Sequence, residues 1–444
     1  MRPALLALVL LAPACFRAPA PSGQRSLATW HAMRDTTPPG ARANAGGAPS
    51  PAPGEALTAE QAYRLALARN PDLAIAEAEA DVAEAQIGEA KQLENPTLRF
   101  TNFQVDETVG RPGFNLGLRA PIPRPGSRHA RIQAAKMVAG GARARAEAAR
   151  RLLHAEVQRL FARLALLTAD LEELARAAEL AERRRQQIAA RVDRAVATRV
   201  DLSLATVDHA EIVDEVSRVR SEKAATESEI TALVAPGTRQ TYRVGPADLE
   251  PSALAGDRDA LIERAVAARP EPRAGQSSTG AAEAELYLAR NEVWPWLTWA
   301  QVNYAINPTA MTATSQNAFG FALALDLPLL SWNRGKIRAA RALVRQRNLE
   351  ERAAVATVAA EVDAALARVR EADRRLQDLD ANLLPQVEDA ARQADEALAA
   401  GGLDLEAVLE IHERRIAARR LRLAALYERR DAVLALEAAI SAAP

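Results

Sequence analysis

An unbroken heptad seam constrains this chain more than any other feature. Leu153, Val157, Leu160, Leu164, Leu167, Leu171, Leu174, Ala178 and Ala181 step by four and three residues without a slip. That register is the seam of a coiled coil, and the alanines around it let a neighbouring helix approach closely. The tract from Arg128 to Val196 is about 69 residues, a rod of about 100 Å at 1.5 Å per residue. A second seam, through Val355, Val358, Val362, Leu366, Val369, Leu376, Leu379, Leu383 and Val387, occupies a tract of similar length from Gly335 to Ala399. Rods of this length dwarf a compact domain, so the body is expected to be an elongated tube. Pro385 interrupts the second tract, and the first has no counterpart.

The two tracts belong to an internal duplication with a period of about 200 residues, a scale at which each copy is a module rather than a solenoid unit. Leu118-Arg119-Ala120-Pro121-Ile122-Pro123 and Arg131-Ile132-Gln133-Ala134-Ala135 correspond to Leu325-Asp326-Leu327-Pro328-Leu329-Leu330 and Lys336-Ile337-Arg338-Ala339-Ala340. Arg199-Val200-Asp201-Leu202 corresponds to Gly402-Leu403-Asp404-Leu405. The spacing predicts a first repeat over 57–237 and a second over 238–444. Each reads helix, helix, hairpin, long helix, turn, returning helix. In the first copy Thr58 is placed to cap a helix with Glu60 and Gln61 in its opening turn, and Asn70-Pro71 breaks it.

Hairpins are expected at about 97–120 and 294–327. One set of alternate residues is apolar: Leu98, Phe100, Phe114, Leu116, Leu118, Trp294, Trp296, Phe319, Phe321, Leu323 and Leu325. The other is polar or small: Arg99, Thr101, Asn115, Gly117, Arg119, Gly320, Ala322, Ala324 and Asp326. Strands of about nine residues match the length of a tilted membrane strand. The pattern fits a lipid-facing surface backed by a polar lumen, with Trp294, Trp296, Trp299 and Tyr304 as an interfacial girdle. A small sheet capping a soluble helical bundle fits the same alternation. Four strands are too few to close a barrel, a deficit that oligomerisation can supply.

The chain of 444 residues balances 57 Lys+Arg against 57 Asp+Glu, which leaves no electrostatic footprint for nucleic acid. At 26% charged it is too polar for a multi-span helical membrane protein, and its 49% hydrophobic content is mostly alanine and leucine. At the start, Met1-Arg2 and the apolar run from Ala4 to Ala14 read as a secretory signal. Leu11-Ala12-Pro13-Ala14-Cys15 has the form of a lipobox, with Cys15 the acylated residue; an ordinary cleavage nearby is the other reading. Residues 16–56, rich in Ala, Pro, Gly and Ser, are expected to be a tether.

This order of elements, occurring twice, resembles the TolC-type outer-membrane efflux protein family. The resemblance rests on Leu57-Thr58-Ala59-Glu60-Gln61-Ala62, Leu65-Ala66-Leu67-Ala68-Arg69-Asn70-Pro71-Asp72-Leu73, Leu327-Pro328-Leu329-Leu330-Ser331-Trp332-Asn333-Arg334-Gly335 and Leu384-Pro385-Gln386-Val387, and covers about 57–441. It implies a mainly α chain with a small membrane β part. Three copies would build one shared twelve-stranded barrel continued by an α-helical tunnel in the periplasm. The implied partners are two further copies, a periplasmic adaptor, an inner-membrane pump and outer-membrane lipid. It implies a passive exit duct, with a periplasmic helical scaffold lacking a pore as the alternative. The sequence departs from the family where the first turn lacks glycine (Ala197-Thr198-Arg199-Val200-Asp201) and where Arg269-Pro270-Glu271-Pro272 replaces an Asn-Pro break.

No enzymatic constellation is present: His412-Glu413-Arg414-Arg415-Ile416 lacks the second histidine of a zinc-protease helix, and no cofactor or metal site is expected. The resemblance instead places a gate and the adaptor contact where the long helices turn back. Carried over, this points to Thr198, Arg199, Asp201, Gly401, Gly402, Leu403, Asp404, Glu406 and Glu410. Three-fold repetition would turn any inward carboxylate into a cation-selecting ring. Asp201 and Asp404 can equally cap the returning helices, and the two roles are compatible.

Overall fold

The computed structural model describes residues 29, 56–106, 111–235, 249, 256–308, 315–329, 332–400 and 402–440. Cys15, Gly401 and nearly all of the expected signal and tether lie outside them. The first copy runs α1 (Ala59–Arg69), α2 (Pro71–Lys91), β1 (Thr97–Asp106), β2 (Arg111–Pro121), α3 (Ser127–Asp193) and α4 (Arg199–Val234). The second runs α5 (Arg258–Ala268), α6 (Pro270–Asn291), β3 (Trp296–Pro308), β4 (Ser315–Asp326) and α7 (Arg334–Asp378). A π-helical turn, Leu379–Leu383, then leads into α8 (Leu384–Ala399), and α9 (Leu405–Ile440) returns.

Local chemistry sets these boundaries. Thr58 and Gln61 form a reciprocal capping box, with the Gln61 amide donating to Thr58 Oγ1 at 3.2 Å and the Thr58 amide donating to Gln61 Oε1 at 3.0 Å. The Asn70 carboxamide accepts from the amides of Asp72 and Leu73 at 2.9 and 3.0 Å, and Pro71 supplies the preset φ of a first helical residue. One residue therefore ends α1 and starts α2. In the second copy Arg269 and Pro270 make the same break without a side-chain cap. Pro385 splits the second long tract: it has no amide to donate, and the preceding turn widens to the π form.

The helices form a wall that changes membership along its length. Near the strands α2, α3, α6 and α7 lie side by side, in the order of the four strands. Towards the far end α4, α3, α9 and α8 lie side by side, so α3 is common to both halves. Between them α1 packs on α3 and α4, burying Leu57, Tyr63, Leu65, Val157, Leu160, Phe161, Leu164, Ile230 and Val234. Likewise α5 packs on α7 and α9 around Leu261, Ala265, Val358, Val362, Leu436 and Ile440. Each such Val or Leu contributes about 1.5–3 kcal/mol by leaving water.

A charged knot ties the copies together at mid-height. The Arg151 guanidinium of α3, 5% exposed, donates to Glu271 of α6 and to the Ala438 carbonyl of α9. Arg269 is equally buried and binds Glu271 and Glu361 of α7. Burial opposes ionisation of Glu271, but the hydrogen bonds from Arg269 prevail and hold its carboxyl below the usual range.

The strands form one antiparallel sheet in the order β1-β2-β3-β4. Phe114, Leu116 and Leu118 sit opposite Ile306, Tyr304 and Val302, and these last two sit opposite Phe319 and Phe321, so one face is continuously apolar. It is also exposed: Phe319 is 77% accessible, Phe321 83% and Leu323 67%. Two of the tryptophans expected on this face lie elsewhere. A bulge between Leu297 and Trp299 shifts the β3 register and turns Trp296, opposite Asp326, to the polar face, where Trp299, opposite Ala324, lies by its alternation with Gln301 and Asn303. There the Arg119 guanidinium lies 3.9 Å over the Trp299 ring, and Trp296 Nε1 donates to the Ile122 carbonyl at 2.9 Å. Trp294 precedes the strand and is exposed. Tyr304 alone of the four lies on the apolar face, with its ring centroid 5.1 Å from that of Phe319.

Glu271→Ala would leave Arg151 and Arg269 facing each other without their shared anion. Breaking a buried pair in this way costs about 3–5 kcal/mol. Denaturant unfolding is expected to show that loss, whereas Glu371→Ala, which removes only an exposed pair with Arg374, should change stability by less than about 1 kcal/mol.

Candidate functional site

The expected site residues collect at the end of the wall remote from the strands, where α3 turns into α4 and α8 into α9. After α3 the Val196 amide reaches back to the Arg191 carbonyl at 2.9 Å, a six-to-one closure that requires a left-handed residue just before it. Ala195 fills that position with φ 58°, where glycine is the usual occupant. The turn expected to lack glycine therefore keeps the ordinary geometry at the cost of backbone strain.

Thr198 and Asp201 then form a second capping box. The Thr198 amide and hydroxyl both donate to Asp201 Oδ2 at 2.8 Å, and the Asp201 amide donates to Thr198 Oγ1 at 3.2 Å. Hydrogen bonds from the Thr198 amide and hydroxyl lower the pKa of Asp201. The structure thus gives Asp201 the capping role. Arg199 is exposed on the first turn of α4.

At the second turn Gly402 donates to the Ala397 carbonyl at 2.8 Å, and the Asp404 carbonyl accepts from Val408 at 3.3 Å. Leu403 is half-buried between them. Glu406 faces α3: its carboxylate is 2.9 Å from Arg191 and 3.9 Å from Arg184. Asp404 is 3.7 Å from the same Arg191 and largely exposed. Glu410 pairs at 2.6 Å with Arg414 of its own helix, so it takes no part in the α3 contact.

Arg184 and Arg191 were not singled out from the sequence, yet they hold the site together. They stand seven residues apart on α3, as Glu406 and Glu413 do on antiparallel α9, and Arg184 lies 3.4 Å from Glu413. That matched heptad spacing was the available signal. The ladder continues upward through Asp170 with Arg420 at 2.6 Å and Arg159 with Asp431 at 3.4 Å. Arg420 also reaches Glu215 of α4 at 3.2 Å. Beside the ladder, hydrogen bonds from Arg185 and Gln186 bring the Glu182 carboxyl down to about 2, and His209 lies 3.8 Å from it. His412 contacts Asp395 at 2.9 Å. Among the described residues no group of three or more His, Cys, Asp or Glu could hold a metal ion.

Residues 62–235, most of the first repeat, match the family model described as outer membrane efflux protein. Solved structures carry the same arrangement of strands and long helices across both repeats. The outer membrane protein VceC of Vibrio cholerae is 17% identical with a TM-score of 0.68, over 87% of this chain and 97% of that one. The chain is TolC-type in fold. The CmeC outer membrane channel of Campylobacter jejuni superposes on this chain with a TM-score of 0.70 at 14% identity, over 87% of this chain and 86% of that one. The open state of the MtrE outer membrane channel of Neisseria gonorrhoeae gives 0.69 at 17%, over 87% and 89%. None of the curated proteins matches by sequence.

In this TolC-type turn, Ala195→Gly is expected to raise stability by up to about 1 kcal/mol by removing left-handed strain, and Thr198→Ala to lower it by about 1 kcal/mol through the lost cap. Thermal unfolding reads both. Because the Asp201 pKa is depressed on folding, its cap is at full strength above the ordinary carboxylate range and weakens as pH falls through the folded value. The protection of the Arg199 to Leu202 amides against exchange, taken relative to the intrinsic exchange rate at each pH, should therefore be constant from neutral pH down to about 5 and fall at lower pH.

Proposed function

We propose that this chain is one third of an outer-membrane exit duct, a homotrimer that conducts substrates passively from a periplasmic adaptor and an inner-membrane pump to the exterior. The observation that carries the reading is the sheet: four strands, two unpaired edges and one exposed apolar face, continued by long helices of which α3 reaches about 100 Å. In water such a sheet would expose a row of phenylalanines and leucines and two open edges. In a bilayer the face is solvated by lipid, and pairing β4 of one copy with β1 of the next satisfies the edges. Three copies supply twelve strands. The polar face, with Asn115, Arg119, Gln301 and Asn303, would then line the lumen. The same exposed face disfavours a pore-free soluble scaffold. Acylation of Cys15 would add a lipid anchor to the barrel.

The far end supplies the gate in this reading. Arg191 holds Glu406 and Asp404 of the second turn against α3 of the first, while the turns themselves present Thr198, Arg199, Gly401, Gly402 and Leu403 to an adaptor. Energy and substrate choice reside in the pump, so the duct performs no chemistry.

Purified full chain is expected to run as a trimer in detergent and to give discrete conductance steps in planar bilayers. A water-soluble monomer after deletion of residues 1–54 would overturn the reading. Arg191→Ala should raise single-channel conductance by freeing both carboxylates of the second turn, whereas Glu410→Ala should leave it unchanged.

A further inference from the structure

The face of α7 nearest the strands carries a row of arginines with no partner. Arg334, Arg338, Arg341, Arg345 and Arg352 follow heptad spacing, are exposed, and make no hydrogen bond or ion pair among the described residues. From Arg334 to Leu349 the helix has six cations and no acid, the first acid being Glu350; only Lys336 and Arg347 are paired, with Glu292 and Glu350. The start of α3 is likewise free of acids before Glu147, with Arg128, Arg131, Lys136, Arg143 and Arg145, although there Arg143 pairs with Glu84 and Arg128 donates to the Lys91 carbonyl. This breaks two local rules. Cations at a helix N-terminus oppose its dipole, and like charges four residues apart repel. The charge pattern is broken in both repeats at the same place, and where the cations lack partners, on α7, it points to an external anion.

The neighbouring residues identify it. Leu327 and Leu329 continue the alternate-residue phase of Phe321, Leu323 and Leu325 beyond the end of β4, and they are 50% and 76% exposed. Trp332, 56% exposed, follows, and Arg334 opens the helix. Apolar side chains, then an indole, then cations is the order met on passing from acyl chains through the interface to the headgroups. Side chains on an α-helix lean towards its N-terminus, here the end nearest the sheet, so the arginines of the first turns lean back towards the membrane. Arg341 lies only about 10 Å below Arg334 along the axis, within the reach of a long side chain from the headgroup layer.

We propose that Arg334, Arg338 and Arg341 form a binding surface for the phosphates of anionic phospholipid in the membrane leaflet adjoining the helices, fixing the depth at which the sheet sits. The proposal rests on the outer-membrane reading above.

The test uses full chain purified in detergent and exchanged into nanodiscs of phosphatidylcholine with or without phosphatidylglycerol. Native mass spectrometry then counts retained phosphatidylglycerol. The wild type is expected to enrich phosphatidylglycerol and to lose that enrichment at high salt. At roughly fivefold per cation, the triple variant R334Q/R338Q/R341Q should lower the preference on the order of a hundredfold. The triple Arg→Lys variant should retain it, and Arg374→Gln, far down α7, should not alter it. A wild type without preference, or a triple Gln variant equal to it, overturns the proposal while leaving the channel reading intact. Dissociation of the triple Gln variant into monomers that retain phosphatidylglycerol would also overturn it, by assigning the row to contacts between copies. So would displacement by millimolar inorganic phosphate, which would make the row a free-anion site. A wild type that enters neither nanodisc overturns the channel reading itself.

Discussion

The whole molecule depends on α3 remaining a single uninterrupted helix. Its 67 residues have one lateral surface, and α1, α2, α4, α6 and α9 are each positioned by a share of it. Near the strands that surface is flanked by α2 and α6; at mid-height it buries α1; beyond that it meets α4 and α9. A helix of this length gains little from intrinsic propensity per turn, and its stability comes from the packed stripe. The stripe changes partner along its length, from small residues such as Ala139, Ala142 and Ala146 near the strands to the heptad seam from Leu153 onward. Two copies of a duplicated unit can therefore share one wall.

The helical architecture was largely legible because it is periodic. The seam from Leu153 to Ala181 is buried or half-buried along its length, and the breaks at Asn70-Pro71 and Pro385 fall where backbone chemistry requires. What escaped was non-periodic. The bulge after Leu297 is a one-residue event with no compositional mark, and it sufficed to move Trp296 to the opposite face. The replacement of Asn by Arg before Pro270 looked like a lost cap. In the fold Arg269 abandons capping because Glu271 and Glu361, 92 residues apart from Arg269 in the second case, converge on its guanidinium.

At the turns the sequence located the residues but not their division of labour. Asp201 and Asp404 occupy equivalent positions in the repeats and do different work. Thr198 stands three residues before Asp201 and completes a reciprocal cap, whereas the residue at the corresponding place before Asp404 is glycine, which has no side chain to offer. Asp404 and Glu406 consequently turn outward to arginines of the other copy. Duplication supplied matching frames, and single substitutions within them gave one turn an internal tie and the other an external one.

The interruption at Leu379–Leu383 has a mechanical meaning. A continuous α-helix resists bending along its whole length, while a π turn beside a proline concentrates deformation in one place. Each chain thus contributes one stiff spar, α3, and one jointed spar, α7 with α8. A sideways force on the second turn would be taken up at the joint, and the portion of wall above it, with the sheet it supports, would feel little of the load. The end that carries the turns can yield while the end that carries the sheet stays still.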